Sequence, residues 1–317
     1  MNVIMLGAFP EESKARLSAS FPAGWTVCIA EPEKAEPFFG AAEVLIPEHI
    51  AVDCSLLDKL PRLKLVQTGA GYDNVDMEEC TKRGIMVCNA KGINANAVAE
   101  HTMALILAWY KNIVTLDTFM KAHRAEDELN YSGAELEGKT IGIIGLGAIG
   151  QRVASLSGAF GMRVIGYDHH AKSVQGVQNV SLDELLAKSD IISLHVPANG
   201  ETRHLINRHT LEKMKRSALL VNTTRGSVVN EEDLVNALTE HRIAGACLDV
   251  FQQEPLGLDS RLRDFPNVIL TPHTAGLPDG TKFHAKRQAF FVKNIQKLLN
   301  NEIPDNLLNE KCLRAMN

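Results

Sequence analysis

From its first residue the chain alternates short apolar runs with mixed stretches. NVIMLG, WTVCIA, EVLIP, LKLVQTG and IMVCNA are too short for helices and rich in β-branched residues, so they read as strands. Segments such as EESKARLSAS and NVDMEECTKRG lie between them with apolar residues at helical spacing. Strand and helix in turn imply a small parallel sheet, and this first unit ends near residue 98. Residues 97–110, AVAEHTMALILAWY, are apolar on nearly every side and contain no Gly or Pro. That pattern predicts a long buried helix at a junction between domains. The alternation then resumes with TIGIIG, MRVIGYD, DIISLHV, ALLVNTT, AGACLDV and NVILTPH, six strands of a second, doubly wound sheet.

Helix ends are legible too. SLDELLAKSD opens with Ser181 three residues before Glu184, a capping-box pattern. NEEDLVNALTEHR carries acids in its first turn and bases toward its end. A last helical stretch, KFHAKRQAFFVKNIQKLLNN, is placed to carry the chain back to the first unit. The expected architecture is α/β, with a Rossmann sheet over residues 99–287 inserted into a smaller flavodoxin-like parallel domain made of 1–98 and 288–317.

Composition narrows the class. With 317 residues, 45% hydrophobic, the chain can bury two cores. A formal charge of −5 and no long Lys/Arg run argue against nucleic acid as the main partner. The longest apolar stretch, Met103 to Tyr110, is far short of a membrane span of roughly 20 residues. The N-terminus lacks a basic start and a cleavage site, so a cytoplasmic protein without a membrane partner is expected. Six cysteines without a C-x-x-C pair read as reduced thiols, and no metal site is expected.

The candidate chemistry begins at KTIGIIGLGAIGQRVASLSGAFG. Gly145, Gly147 and Gly150 form G-x-G-x-x-G between a predicted strand and a helix, the context in which such a turn binds a dinucleotide. The next strand ends in Tyr167-Asp168, 18 residues past Gly150, where a carboxylate accepts hydrogen bonds from the adenosine ribose. Asp168 would repel the 2′-phosphate of NADP, so NAD is the expected cofactor and NADP the less favoured one. His169, His170 and Lys172 follow at once; they could soften that choice, but the simpler reading, solvated loop residues, is preferred.

Three more segments place one polar residue where a predicted strand meets a loop: VNTTRGSVVNEEDL at Arg225, CLDVFQQEPL at Glu254 and ILTPHTAG at His273. Taken singly, each has an ordinary alternative as an ion pair, a turn residue or a cap. In this order, after a glycine-rich loop and an acidic strand end, they resemble the D-isomer-specific 2-hydroxyacid dehydrogenase family, from about Val66 to the final helix. The resemblance implies a catalytic triad of Arg225, Glu254 and His273. The residue types suit the reaction independently: a histidine gives a proton near neutral pH, a carboxylate beside it favours the imidazolium, and a guanidinium holds a carboxylate.

The same resemblance implies that TGAGYDNVD holds the substrate carboxylate through Ala70, Gly71 and Tyr72, together with Arg225 and His273. It also implies cofactor contacts from Ala148 and Ile149 at the pyrophosphate, and from His195, Val196 and Pro197 near the adenosine. Thr223 and Asp249 would sit near the nicotinamide amide, with Thr202, Thr224, Arg225, His273 and Gly276 completing the set. Relatives are commonly homodimers joined through the nucleotide domain. Two departures stand out: Thr224 replaces the alanine common in N-T-A-R-G, and the segment ahead of Glu135 lacks a frequent tryptophan. Glu254 disfavours formate oxidation, where that family branch has glutamine, and Ala70 disfavours phosphite oxidation, where it has lysine. The substrate stays open among phosphoglycerate, glycerate or hydroxypyruvate, glyoxylate and lactate-like acids. An NAD-sensing corepressor of the same fold is the alternative to an enzyme.

Overall fold

The computed structural model describes residues 1–48, 50–123, 133–170, 173–276 and 281–315. The chain forms two compact units, one of Met1–Asn94 with Asp279–Asn317 and one of Ala95–Pro278. Lys172 and most of the segment ahead of Glu135 lie outside the described residues.

In the first unit, strands Asn2–Leu6 (β1), Thr26–Ala30 (β2), Val44–Pro47 (β3), Leu65–Thr68 (β4) and Met86–Asn89 (β5) form a parallel sheet in the order β2-β1-β3-β4-β5. Both faces are covered, which is why these strands read as unbroken apolar runs rather than alternations. Ile4, Leu6, Leu45, Val66 and Val87 face one core, with Ala35 and Phe39 from the helix Pro32–Phe39. Their chain neighbours Val3, Met5, Val44, Ile46, Leu65, Met86 and Cys88 face the other, with Leu17, Phe291 and Ile295. Phe291 and Ile295 belong to the helix Thr281–Leu299, which therefore completes the first unit although it comes last in the chain. Burying each such side chain contributes about 1.5–3 kcal/mol. The outer edge of β5 is covered by the C-terminal chain, where Val87 N donates to Asn309 Oδ1 at 2.8 Å and Leu308 N to Val87 O at 2.8 Å.

The second unit holds Thr140–Ile144 (β6), Arg163–Tyr167 (β7), Gln178–Asn179 (β8), Ile191–Leu194 (β9), Leu219–Asn222 (β10), Gly245–Leu248 (β11) and Val268–Leu270 (β12). They form one parallel sheet, β12-β11-β10-β9-β6-β7-β8, whose strand order reverses between β6 and β9. Ile192, Leu194, Leu220 and Leu248 point to one face, under Leu185, Leu211, Leu234 and Leu238 from three helices. Ile191, Leu219, Val221 and Cys247 point to the other, under Met103, Ile106 and Tyr110 of the helix Ala95–Tyr110 and Val153 of the helix Ala148–Ala159. This is the doubly wound arrangement, with seven strands where the hydrophobic pattern shows six. The extra strand, β8, is two exposed polar residues and carries no apolar signal.

Capping follows the sequence in part. Ser181 Oγ accepts from Glu184 N at 3.2 Å, and Asn230 caps the helix Glu231–Thr239 by accepting from Asp233 N. That helix ends before His241 and Arg242, so the bases expected in its last turn fall beyond it.

Candidate active site

All the strands of the second sheet run the same way, so the loops after β6, β7, β9, β10, β11 and β12 gather at one end of it. The first is the glycine turn. Gly145 has φ +96°, a left-handed conformation costly for any residue with a Cβ, and a Cβ there would lie 2.6 Å from His195 O. Gly150 is closed in the same way: its Cβ would meet Gly145 O at 2.0 Å, so turn and helix touch backbone to backbone. Gly147 is the opposite, with nothing within 4 Å of its Cβ direction and no side chain capping the helix it opens. An open cradle at an uncapped helix start, with N–H groups free of intrahelical partners, fits the pyrophosphate of a dinucleotide. Ala148 and Ile149 supply that first turn.

Asp168 follows β7. Its Oδ2 accepts from Leu146 N at 2.8 Å and its Oδ1 from His170 N at 2.9 Å, which fixes the carboxylate beside the glycine turn. His195 follows β9; Nε2 lies 2.9 Å from Ser193 Oγ, and Nδ1 is buried without a partner among the described residues although the residue is partly exposed. Burial pushes its pKa down to about 3, so the ring is neutral at physiological pH. Thr202 Oγ1 donates to Pro197 O at 2.6 Å and closes that loop.

After β10, the departure at Thr224 has a visible use: its Oγ1 donates to Val196 O at 2.7 Å, tying two neighbouring strand ends, a bond alanine cannot make. Thr223 is buried with its hydroxyl 3.0 Å from that of Thr102. Arg225 Nη1 donates to Thr224 O at 2.7 Å. Gly226 then presses on the next loop, since a Cβ there would sit 1.9 Å from Phe251 C and O. Only glycine permits this approach, and it sets the Arg225 turn against the segment that carries Glu254.

Glu254 is pinned at both carboxylate oxygens: Oε1 accepts from Phe251 N at 3.0 Å, and Oε2 lies 2.6 Å from His273 Nδ1. Both side chains are about a third exposed, so the pair is reachable by a small molecule. His273 itself has φ +54°, which costs of order 1–3 kcal/mol in a non-glycine residue. Asp249 holds it there. Its backbone O accepts from His273 N at 2.7 Å, while its fully buried carboxylate accepts from Thr271 Oγ1 (2.6 Å), Thr274 N (2.9 Å) and Ala275 N (2.8 Å). Gly276, in the same loop, is partly buried.

In the first unit, Gly69 to Tyr72 follow β4 and are partly buried. Asn89 Nδ2 donates to Ala70 O at 2.9 Å, while the N–H groups of Ala70, Gly71 and Tyr72 have no partner among the described residues. A row of free donors of this kind suits an anion.

A model of the D-isomer specific 2-hydroxyacid dehydrogenase NAD-binding domain matches residues 103–275, more than half of the chain. The chain belongs to that family. It is 41% identical over 278 residues to a glyoxylate reductase from Aeropyrum pernix, covering 83% of this chain and 82% of the relative. Among solved structures it resembles a D-lactate dehydrogenase from Aquifex aeolicus complexed with NAD and lactic acid (TM-score 0.86, 31% identity, 98% of this chain and 99% of that one). It also resembles an NADPH-dependent glyoxylate/hydroxypyruvate reductase from Sinorhizobium meliloti in complex with citrate (TM-score 0.86, 26% identity, 98% of each). The protein is therefore an oxidoreductase of the D-2-hydroxyacid dehydrogenase family.

Two supporting residues of this dehydrogenase escape a sequence reading. His101 Nε2 lies 3.1 Å from Thr271 Oγ1 and 3.6 Å from Asp249 Oδ1, and Thr102 meets Thr223, so one helix touches the strand ends that lead to Arg225 and His273. The available signal was a polar pair, His-Thr, inside an otherwise apolar helix. All six cysteines are free, and burial pushes the Cys80 and Cys88 thiols up to about 12, so both stay protonated. Among the described residues no group of His, Cys, Asp and Glu is arranged to hold a metal, and no helix is long and apolar enough to cross a membrane.

Proposed function

We propose that this dehydrogenase uses NAD to interconvert a small D-2-hydroxy acid and its 2-keto acid, with His273 as acid/base, Glu254 orienting it and Arg225 binding the substrate. The observation that carries the proposal is the 2.6 Å contact between His273 Nδ1 and a Glu254 carboxylate that is itself fixed by Phe251 N. A proton on Nδ1 is committed to Glu254, which leaves Nε2 to give or take the proton of the substrate oxygen. The same contact fixes the orientation and tautomer of the ring. Arg225 offers a permanent cation in a fixed fork to the substrate carboxylate and to the carbonyl oxygen as it gains charge. Ala70, Gly71 and Tyr72 would be further substrate-binding residues, through backbone N–H groups that suit an anion. Bound nicotinamide supplies the hydride that C2 accepts or returns.

For the cofactor, Gly145, Gly147, Ala148, Ile149 and Gly150 would hold the pyrophosphate and Asp168 the ribose hydroxyls. His195, Val196, Pro197 and Thr202 would take the adenosine side, and Thr223, Thr224, Asp249 and Gly276 the nicotinamide side. Asp168 supports NAD over NADP, because its carboxylate is fixed beside the glycine turn, where a 2′-phosphate would add a like charge. The proposal includes a homodimer in the cytoplasm. Ile113, Val114 and Met120, each about half exposed on the helix Ile113–Lys121, offer an apolar face to a second copy.

The test is purified protein with NADH or NADPH and a panel of 2-keto acids. Loss of reduced-cofactor absorbance, faster with NADH, is the expected result. Tight NADH binding without turnover on any keto acid would instead favour the corepressor-like alternative.

A further inference from the structure

The first unit holds a polar cluster that its fold does not use. Its strand order changes direction between β1 and β3, and ligands of such sheets bind at the carboxyl ends of strands beside that point. Glu48 stands there, directly after β3, and a Cβ on Gly7 at the end of β1 would touch its Cβ at 2.8 Å. β3 and β4 pair Val44 with Leu65 and Leu45 with Val66, and extending that register puts Glu48 level with Gly69, the start of the loop carrying Ala70 and Gly71.

Arg287 reaches the same level from the helix Thr281–Leu299. Its Nη2 lies 2.7 Å from Glu48 Oε1 and its Nη1 3.3 Å from Glu48 Oε2, with both side chains largely buried and the guanidinium 5.3 Å from the Phe291 ring centre. Farther along this helix, Asn294 bonds Gln67 within β4, so the helix start lies toward the carboxyl edge of the sheet. Gln288 shares the buried stripe of Phe291 and Ile295, one turn nearer that edge. It is 3% exposed, yet neither its Nε2 nor its Oε1 has a partner among the described residues. Arg287 Nε and Asn89 Oδ1 are buried without partners as well.

Each such group lowers stability, and a leucine in place of Gln288 would avoid that cost. Resting on the function proposed above, we propose that Gln288, with Arg287 and Asn89, is a specificity subsite for 2-keto acids that carry a neutral hydrogen-bonding group, a hydroxyl or carboxamide, beyond C2. The unfilled valences are two kinds of donor, Gln288 Nε2 and Arg287 Nε, and two acceptors, Gln288 Oε1 and Asn89 Oδ1. A hydroxyl or amide satisfies both kinds. A methyl group satisfies neither, and a phosphate would face the acceptors and Glu48, whose carboxylate already neutralises Arg287.

The test compares kcat/KM for glyoxylate, pyruvate, hydroxypyruvate and phosphohydroxypyruvate in the wild type, Gln288→Leu and Gln288→Met. A site built to hydrogen-bond a hydroxyl rejects the analogue lacking it strongly, so the wild type should prefer hydroxypyruvate over pyruvate by at least about 10²-fold. It should also prefer hydroxypyruvate over its phosphate ester. Both variants should lower the hydroxypyruvate/pyruvate ratio by about 10-fold or more, and their melting temperatures should rise because an unsatisfied buried amide is gone. Glyoxylate turnover with no preference for hydroxypyruvate, or a ratio unmoved in both variants, overturns the subsite and leaves the dehydrogenase standing. No turnover on any of the four acids overturns both.

Discussion

Gly226→Ala tests the geometry that sets Arg225 beside the Glu254 segment. The added methyl would lie 1.9 Å from Phe251 C and O and 2.4 Å from Gln252 N, whereas ordinary contact begins at 3.4 Å. The backbones must therefore part by about 1.5 Å (3.4 − 1.9), and no flexible side chain is there to yield. Phe251 N is the group that holds Glu254 Oε1, and Glu254 holds His273, so the shift passes directly into the proposed acid/base pair. Misplacement by about 1 Å costs as much as 10²-fold in rate, so kcat/KM should fall by about 10²- to 10³-fold. Overpacking of this kind costs roughly 1–3 kcal/mol, which lowers the melting temperature by several degrees. The assay is steady-state oxidation of NADH with the best keto acid, with Gly158→Ala as control. Gly158 lies in a helix with nothing within 4 Å of its Cβ direction, so that variant should keep full activity. A Gly226→Ala protein within about threefold of wild type would refute the reasoning.

Two further predictions concern the cofactor side. Asp168→Ser removes a charge that would stand about 5 Å from a 2′-phosphate; at an effective dielectric near 20 that repulsion is about 3 kcal/mol, roughly halved by water and salt. The NADH/NADPH ratio of kcat/KM should fall about 10-fold, and an unchanged ratio would show that the ribose contact lies elsewhere. His195 is neutral in the fold down to about pH 3, whereas its unfolded-state value is near 6.5. The unfolded chain thus binds the extra proton between those values, so stability falls as pH drops from about 6.5 to about 3, by up to about 1.4 kcal/mol per unit. Urea unfolding across that range should be less pH-dependent in His195→Gln, and identical slopes would contradict a buried neutral ring.

Local patterns made much of the fold legible. Buried parallel strands show as apolar runs, and Gly145, Gly147 and Gly150 show as punctuation between strand and helix. What stayed hidden was decided by distance along the chain or by side chains with no pattern of their own. β8 pairs two exposed polar residues with β7 and has nothing to alternate. The Arg287 and Glu48 pair spans 239 positions, and His101 meets Thr271 across 170. Asp249 was foreseen as a cofactor contact, but its grip on the 271–275 loop appears only once three strand ends are side by side. The left-handed backbone of His273 is likewise a consequence of that grip, since nothing in P-H-T calls for it.

Catalysis by His273 is tested most directly by the rate of hydride transfer in a single turnover, comparing wild type with His273→Gln on one keto acid. The expected outcome is a D-configured hydroxy acid from the wild type and a rate lower by about 10²- to 10⁴-fold in the variant. A variant rate within about threefold of wild type would contradict the assignment of His273 as the proton donor.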